Sequence, residues 1–366
     1  MEWMACLKQS FKWSCILLCF SLQGYILFSV FAFYHANKVP SKIILQPRPI
    51  ITKQTNCSLA PEMTPAPSKP PLTILLWTWP AKHTFPLNQC PPLVDSSGCF
   101  FTVNRSMYLI ANAVVIHHRD ISTKAQLPPM PRPLNQYWVW FNMEPPEHLH
   151  KLSLMDNIIN LTMSYKSDSD IFTPYGWLKS NNGAENFTIP SKSRLVAWIV
   201  SNWKQKHKRV QYYNKLKNYL QIDVYGKHNL PLPRKDHFVT LSKYKFYLAF
   251  ENSIHEDYIT EKLWYNAFYA GAVPVVLGPS RKNYERFIPP DSFIHVDDFS
   301  SAQELAAYLL SLDKDDQRYR QYFNWRSRYM PVEKRKTWIT EYCKVCKALK
   351  EAPAYRSIPS IAEWFK

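Results

Sequence analysis

The chain has 366 residues, enough for two domains and a tail, and its 46% hydrophobic and 20% charged residues exclude a disordered protein. Its seven glycines never take a G-x-G or G-x-x-x-x-G spacing, which excludes the Walker A loop and the G-x-G-x-x-G dinucleotide motif. A formal charge of +17 indicates a surface that attracts anions, and any bound phosphate must be held by side chains and helix ends.

The N-terminal region predicts a membrane anchor followed by a spacer. The stretch 14–34 contains no charged residue and, at roughly 31 Å as a helix, is long enough to span a bilayer. A cleaved signal peptide is the alternative, but its apolar region is usually shorter and ends in a small-residue cleavage site. Residues 35–71 are rich in proline, which keeps a chain extended. We expect a cytosolic tail at 1–13, a transmembrane signal anchor at 14–34 and a stem at 35–71.

Sequons and cysteines indicate that the remaining chain lies in an oxidising lumen. Four N-glycosylation sequons begin at Asn56, Asn104, Asn160 and Asn186. Four cysteines after the stem predict two disulfides, with the pairing left open by their spacing, namely Cys90, Cys99, Cys343 and Cys346. A zinc site is the alternative because the last two have the C-x2-C spacing. Cys57, within the stem, is left without a predicted partner.

From residue 72 onward, short apolar runs alternate with stretches of helical spacing, which predicts an α/β fold with mostly parallel sheets. A boundary near 194 gives two Rossmann-like halves, at 72–194 and 195–366. The predicted strands are 72–79, 107–118, 136–143, 195–201, 221–225, 246–250, 273–277 and 292–295. The predicted helices are 210–220, 258–270 and 302–312, and Gly271 with Pro274 provides the stop signal for the second.

Three polar positions follow predicted strands, where ligands gather in parallel sheets. Lys262 opens a helix beside Glu261 and is placed to meet a diphosphate, whereas Arg209 precedes a helix at the equivalent edge and could bind phosphate through its guanidinium. Glu144 follows the strand 136–143 and is stiffened by two prolines, which suits a general base. Each residue also has an ordinary interpretation as a solvated surface side chain.

Two further motifs are weaker signals. Asp168-Ser169-Asp170 has the form of a D-x-D metal motif, but two cationic side chains would neutralise a diphosphate without a divalent cation, so we expect no metal. His117-His118-Arg119 ends a strand facing the predicted cleft, and histidine pairs of this kind are more often structural than catalytic.

These segments together resemble the vertebrate α-1,3/4-fucosyltransferases of the Golgi. The resemblance runs over roughly 72–366 and rests on FYLAFENSIHEDYITEKLW, AVPVVLGPSRKNYERFIPPDSFIHVDDF, YWVWFNMEPP, DSDIFTPYGW and the terminal CKVC. It implies a GT-B fold, in which two Rossmann-like domains face each other across a cleft. It also implies an inverting transfer of L-fucose from GDP-fucose to the N-acetylglucosamine of N-acetyllactosamine.

The resemblance carries residue roles onto matching positions. Glu144 corresponds to the general base, and Arg209 to a phosphate-binding arginine. Asn252, Tyr258, Glu261 and Lys262 correspond to the donor-binding motif. Arg119 stands where enzymes restricted to type 2 chains have arginine, which favours α-1,3 linkage. The disulfides implied by the family are Cys90–Cys343 and Cys99–Cys346.

The expected activity is therefore a Golgi, single-pass type II, GDP-fucose-dependent α-1,3-fucosyltransferase with no required cofactor. Its expected partners are GDP-fucose and the N-acetyllactosamine glycans of glycoproteins and glycolipids, with homodimerisation a further expectation and nucleic acid disfavoured by the luminal placement. The alternatives are α-1,3/4 activity that includes type 1 chains, another nucleotide-sugar transferase of the same architecture, and a membrane-anchored lectin without catalysis.

Overall fold

A computed structural model describes residues 70–366 of the chain, apart from 93, 184–185, 228, 334–337 and 353. The described residues belong to one compact unit. No helix among them is long and apolar enough to cross a bilayer, and the predicted anchor, together with the predicted stem up to residue 69, lies outside the described residues. Asn56 and Cys57 lie outside them as well.

A six-stranded sheet, in which every pair of neighbours is parallel, forms the first half of the unit. Its central strands are almost continuous runs of buried apolar residues, as expected for a sheet covered on both faces. The spatial order is β2-β1-β3-β4-β5-β6. The strands are β1 (Leu72–Leu76), β2 (Cys99–Thr102), β3 (Ala113–His117), β4 (Tyr137–Asn142), β5 (Leu161–Ser164) and β6 (Ile171–Phe172).

A five-stranded parallel sheet, in the order β12-β11-β10-β8-β9, forms the second half. Its strands are β8 (Arg194–Ile199), β9 (Asp223–Tyr225), β10 (Tyr244–Phe250), β11 (Val273–Leu277) and β12 (Ile294–His295). Between the two sheets in sequence, β7 (Gly176–Ser180) pairs antiparallel with β13 (Tyr329–Glu333) from much later in the chain.

The described α-helices all begin at or after residue 208. They are Lys208–Leu216, His237–Leu241, Arg281–Tyr284, Ala302–Asp313, Asp316–Gln321, Trp338–Lys350 and Ile361–Phe365, and Lys262–Tyr269 is a π-helix. Short 3-10 turns provide most other connections: Pro80–Lys82, Arg105–Ile110, His118–Asp120, Lys124–Gln126, Pro146–His148, Leu152–Met155, Arg234–Asp236, Val296–Asp298 and Asn324–Ser327. Gly271, with φ of +70°, ends the segment that follows the π-helix, as the sequence predicted.

The C-terminal segment supplies helices that cover the first sheet. Tyr342, Val345 and Cys346 of one helix and Ile361 and Phe365 of the last belong to the hydrophobic core of that sheet. Two disulfides, Cys90–Cys343 and Cys99–Cys346, fix the first of these helices to the start of the body. These are the pairs implied by the family resemblance, so the four cysteines are bridged and the zinc alternative is wrong.

The parallel α/β prediction is confirmed, and the deviations have local causes. The predicted strand 107–118 is shortened to Ala113–His117 because Asn104, whose side chain accepts a hydrogen bond from the backbone of Ser106, caps the turn Arg105–Ile110. The predicted helix 258–270 begins only at Lys262, because the backbone and hydroxyl of Thr260 are bonded to Glu251 instead.

The two disulfides predict a non-additive loss of stability. When one bridge is present, the other closes only a loop of roughly a dozen residues, so removing one should cost about 3 kcal/mol. Removing both bridges also opens the loop of 253 residues that Cys90–Cys343 closes, which should cost roughly a further 5 kcal/mol. Denaturant melts of Cys343→Ser, Cys346→Ser and the double variant check this. A double variant no less stable than either single one would contradict it.

Candidate active site

Glu144 lies at the carboxyl edge of the first sheet and contacts Arg119. Strands β3 and β4 are parallel neighbours, so the segments that follow them emerge at the same edge. Arg119 Nη1 donates to Glu144 Oε1 at 2.7 Å. The Glu144 side chain is 27% exposed, so one side of its carboxylate faces solvent. The residue predicted to select the acceptor therefore holds the residue predicted to be the base.

Two side chains fix the backbone on which Glu144 stands. Buried Asn142 donates from Nδ2 to the Glu144 carbonyl at 2.7 Å, and its Oδ1 accepts from the Glu144 amide at 3.2 Å. The hydroxyl of Tyr175 donates to the carbonyl of Met143. Sequence reasoning assigned neither residue a role. The polar Asn142 at the end of an apolar strand was the available signal.

Lys262 is held by a buried carboxylate that follows β10. Glu251 accepts from the backbone amide of Thr260 at 2.8 Å and from Lys262 Nζ at 2.8 Å. The ammonium also donates to Thr260 Oγ1 at 2.7 Å, and Glu261 Oε1 lies 3.4 Å from it. The Lys262 side chain is only 12% exposed. Sequence reasoning found the Glu251-Asn252 strand end but gave Glu251 no role.

The electrostatic balance keeps Lys262 charged. Burial raises the pKa of Glu251 in spite of the neighbouring ammonium. Burial acts to lower the pKa of Lys262, but the carboxylates of Glu251 and Glu261 outweigh it and raise that pKa. A cation that is nearly buried is therefore held at the carboxyl edge of the second sheet, beside the more exposed Glu261.

Arg209 adds a second cation at this edge. It is 4% exposed in the first turn of Lys208–Leu216, and its Nη2 donates to the carbonyl of Asn202 at 2.6 Å. Its Nε is buried and has no hydrogen-bond partner among the described residues. Burial lowers the pKa of Arg209, and the charge of Glu251 opposes that effect. An unsatisfied buried donor of this kind is suited to an anionic ligand.

Tyr258 shows that the two edges converge. Its ring lies 5.0 Å from that of Tyr165, a residue of the first half. Burial raises its pKa well above the ordinary value, and the negative charges of Glu251, Glu144 and Glu261 add to the effect. Carboxylates from both sheets therefore act on one buried hydroxyl.

A direct polar contact also joins the two edges. Asn252 Nδ2 lies 3.3 Å from His148 Nδ1, and the same ring nitrogen lies 3.7 Å from Glu144 Oε2. The structure thus brings together the residues selected from the sequence, Glu144, Arg119, Arg209, Asn252, Tyr258, Glu261 and Lys262. Their individual roles stay predictions.

Comparison with known proteins identifies the family. Residues 69–176 match "Fucosyltransferase, N-terminal" and residues 189–364 match "Glycosyltransferase family 10 (fucosyltransferase) C-term". The chain belongs to the fucosyltransferases of glycosyltransferase family 10. It is 52% identical over 305 residues to human 3-galactosyl-N-acetylglucosaminide 4-alpha-L-fucosyltransferase FUT3, covering 82% of this chain and 84% of that one.

Two other relatives carry a different linkage in their names. The chain is 50% identical over 321 residues to human 4-galactosyl-N-acetylglucosaminide 3-alpha-L-fucosyltransferase FUT5, covering 86% of this chain and 85% of that one. It is 46% identical over 364 residues to the 3-alpha-L-fucosyltransferase FUT6 of Pongo pygmaeus, covering 98% of both chains. A solved structure titled "Crystal Structure of alpha1,3-Fucosyltransferase" shares the fold, with TM-score 0.53 and 17% identity over 82% of this chain and 96% of that one.

In this fucosyltransferase the D-x-D segment has structural contacts. Asp170 accepts from the backbone and hydroxyl of Thr162 and from Arg356 Nη2 at 2.9 Å. Asp168 is exposed and lies 3.4 Å from Lys166 Nζ. Across the described ranges, no group of three or more His, Cys, Asp or Glu side chains is arranged to hold a metal ion.

Ser167, directly before this segment, joins the first half to the donor-side loop. Asp257 accepts from the backbone amide and hydroxyl of Ser167 at 2.8 and 2.7 Å and from Asn283 Nδ2 at 2.8 Å. Arg286 Nη2 donates to the Ser167 hydroxyl at 2.6 Å. These four residues form what we call the Asp257 clamp, which fixes the loop carrying Asn252 and Tyr258.

The predicted glycan acceptors differ in accessibility. Asn104 and Asn186 are exposed. Asn160 is fully buried, its Oδ1 accepts from the Trp138 amide at 2.7 Å, and its Nδ2 donates to the Arg356 carbonyl. The folded structure contradicts an accessible acceptor at Asn160, because a glycan on that nitrogen would displace the Arg356 contact and would have to be attached before this segment folds.

Because of the Asp257 clamp, a single conservative substitution of Asp257 should strongly lower the free energy of unfolding. Asp257→Asn keeps the shape and tolerates the local φ of 61°, but it removes the charge facing Arg286 and leaves donors without their acceptor. We expect a loss of about 3 kcal/mol in the free energy of unfolding. Asp168→Asn, an exposed site in the joined segment, is the matched control and should change it by less than about 0.5 kcal/mol. Equal effects of the two variants in denaturant melts would contradict the clamp.

Proposed function

We propose that this fucosyltransferase transfers L-fucose from GDP-fucose, in α-1,3 linkage and with inversion, to N-acetylglucosamine of type 2 N-acetyllactosamine. The observation that carries the proposal is the contact of His148 both with Glu144, at the edge of the first sheet, and with Asn252, which follows Glu251, the partner of Lys262, at the edge of the second. A GT-B cleft between two Rossmann-like halves is the architecture that fits this arrangement. The 3-alpha- and 4-alpha-fucosyltransferase names of the relatives support the reaction class.

Glu144 is the proposed general base. Arg119 occupies Oε1, which leaves Oε2 to take the proton from the acceptor hydroxyl. The acceptor oxygen then attacks the anomeric carbon of fucose from the side opposite GDP, and the bond to the diphosphate breaks. A single displacement of this kind inverts the configuration and needs no carboxylate nucleophile.

Arg209 and Lys262 are the proposed diphosphate ligands. Of the three contacts made by the Lys262 ammonium, that to the exposed Glu261 is the longest, so a phosphate oxygen can replace it while Glu251 and Thr260 stay in place. Arg209 Nε can donate to the same anion. Glu261 is then left beside the sugar, where its charge can stabilise the positive charge that develops at the anomeric carbon.

The proposed setting is the Golgi lumen, with a single-pass type II anchor at 14–34 and a stem at 35–71. The two disulfides and the sequons support an oxidising compartment. The absence of a required cofactor or divalent cation stays a prediction, based on the two cations available to the diphosphate. Homodimerisation also stays a prediction.

An acceptor panel tests the activity and its linkage. Radiolabelled GDP-fucose with type 1 and type 2 lactosamines should label type 2 acceptors at least about tenfold faster, and NMR of the product should show α-1,3 linkage. Comparable labelling of type 1 and type 2 acceptors would favour the α-1,3/4 alternative, which the similarity to FUT3 supports. No transfer to any acceptor, with glycan binding retained, would favour the lectin alternative.

Two variants should separate the base from the donor site. Glu144→Gln should lower kcat by about 10²- to 10⁴-fold with unchanged GDP affinity, because the amide cannot accept the proton. Lys262→Ala should weaken GDP binding by about tenfold or more, because one charged contact is lost. Calorimetry with GDP and initial-rate assays measure both.

Controls exist for each variant. Glu147→Gln changes an exposed carboxylate in the same turn as His148 and should leave kcat within about twofold. Lys262→Ala leaves Glu251 buried without its ammonium partner, so Lys262→Ala with Glu251→Gln keeps the test usable if the single variant unfolds. Near-normal turnover of Glu144→Gln, or unchanged GDP affinity of a folded Lys262 variant, would remove that residue from its role.

A further inference from the structure

His148 is not among the predicted site residues and has no part in the proposed mechanism, although its side chain lies close to both Glu144 and Asn252. It ends the turn Pro146–His148, directly after the segment that carries Glu144. Its side chain is 25% exposed. Its Nδ1 faces two groups that belong to different parts of the proposed reaction, the carboxylate of Glu144 and the amide of Asn252.

His148 Nδ1 cannot make the same kind of hydrogen bond to Asn252 and to Glu144. An unprotonated Nδ1 has a single lone pair and can accept from Asn252 Nδ2, at 3.3 Å. A protonated Nδ1 can only donate, and with the Asn252 amide in this orientation the acceptor it faces is Glu144 Oε2, at 3.7 Å. The amide of Asn252 therefore decides whether Oε2 is bound by a proton donor or left open.

This choice affects the carboxylate oxygen that the mechanism needs. Arg119 already donates to Oε1 at 2.7 Å, so a second donor on Oε2 would take one of the lone pairs of that oxygen and lower its basicity toward the acceptor hydroxyl. The charged and titratable groups near His148 are Glu144 on its own segment, Arg119 from the turn after β3, which is bonded to Glu144, and His207 from the loop before Lys208–Leu216.

We propose that His148 is a positioning residue that couples the donor-side loop to the base. Asn252 holds Nδ1 as an acceptor, the neutral ring packs beside Glu144 without bonding Oε2, and that oxygen stays open for the acceptor hydroxyl. The proposal rests on the proposed function of Glu144. It assigns Asn252 a role on the base as well as its predicted role on the donor.

Replacing His148 by side chains that carry a polar group at different positions tests this role. Asparagine places its amide near the position of Nδ1, whereas glutamine reaches the position of Nε2 and phenylalanine has no polar group. We expect His148→Phe and His148→Gln to lower kcat by about 10²-fold with GDP affinity within about threefold, and His148→Asn to stay within about fivefold of wild type. His150→Phe, which changes an exposed histidine close by, should leave kcat within about twofold.

The contrast between the asparagine and glutamine variants gives a readout that simple packing would not move, because only asparagine places an acceptor near the position of Nδ1. A normal kcat for His148→Phe, or equal losses for the asparagine and glutamine variants, would overturn the proposal.

A measurement without turnover separates this proposal from the proposed function. Nitrogen-15 NMR of the His148 ring at neutral pH should show an unprotonated Nδ1, and Asn252→Ala should shift that resonance. A protonated Nδ1, or a resonance insensitive to Asn252→Ala, would refute the coupling. If wild type transferred no fucose, the proposed function would fall, while this measurement would still decide whether Asn252 controls the ring.

Discussion

The ion pair between Glu251 and Lys262 is the constraint on which the site depends. An ammonium that is 12% exposed is tolerated at the start of the π-helix Lys262–Tyr269 only because a carboxylate and a hydroxyl satisfy two of its donors. Those contacts orient the ammonium at the carboxyl edge of the second sheet and leave its third N–H directed toward the exposed Glu261. The cation is thus fixed before any ligand arrives, which is what a preorganised anion site requires.

The same rigidity extends to the relation between the sheets. The C-terminal helices cover the first sheet, and two disulfides bind the helix Trp338–Lys350 to the start of the body, although both helices follow the second sheet in sequence. The Asp257 clamp fixes the donor-side loop, and His255 adds a further link because it lies between the Tyr165 hydroxyl, at 3.0 Å, and the Phe365 carbonyl, at 2.8 Å. Glu144 therefore meets the donor-side residues in a frame with several independent supports.

The sequence predicted those parts of the fold that rest on local patterns. Apolar runs predicted β10 and β11, and the end of the predicted strand 136–143 indicated Glu144 as a site residue. Five strands were missed because each has five residues or fewer, and all of them except β5 also lie at a sheet edge or in the two-stranded sheet, where the apolar pattern is weak; they are β2, β5, β6, β7 and β13. The covering of the first sheet by the C-terminal helices depends on contacts across the whole chain, which no local spacing reveals.

The sequence predicted which residues lie in the site better than it predicted the contacts between them. The rule that ligands gather at carboxyl ends of parallel strands brought Glu144, Arg209 and Lys262 to the same region. It could not show that Arg119 bonds Glu144 or that Glu251 holds Lys262, because both are side-chain choices made after the strands are assembled. Ser167 stands directly before the segment that resembled a metal motif, and its partner, Asp257, lies far away in sequence.

The central claim is that an acid from the first sheet and cations from the second act on one substrate pair. A structure of this fucosyltransferase with GDP and a type 2 lactosamine tests it most directly. The account predicts the 3-hydroxyl of N-acetylglucosamine within about 3.2 Å of Glu144 and the diphosphate in contact with Arg209 and Lys262. A diphosphate bound elsewhere, or an acceptor hydroxyl out of reach of Glu144, would contradict it.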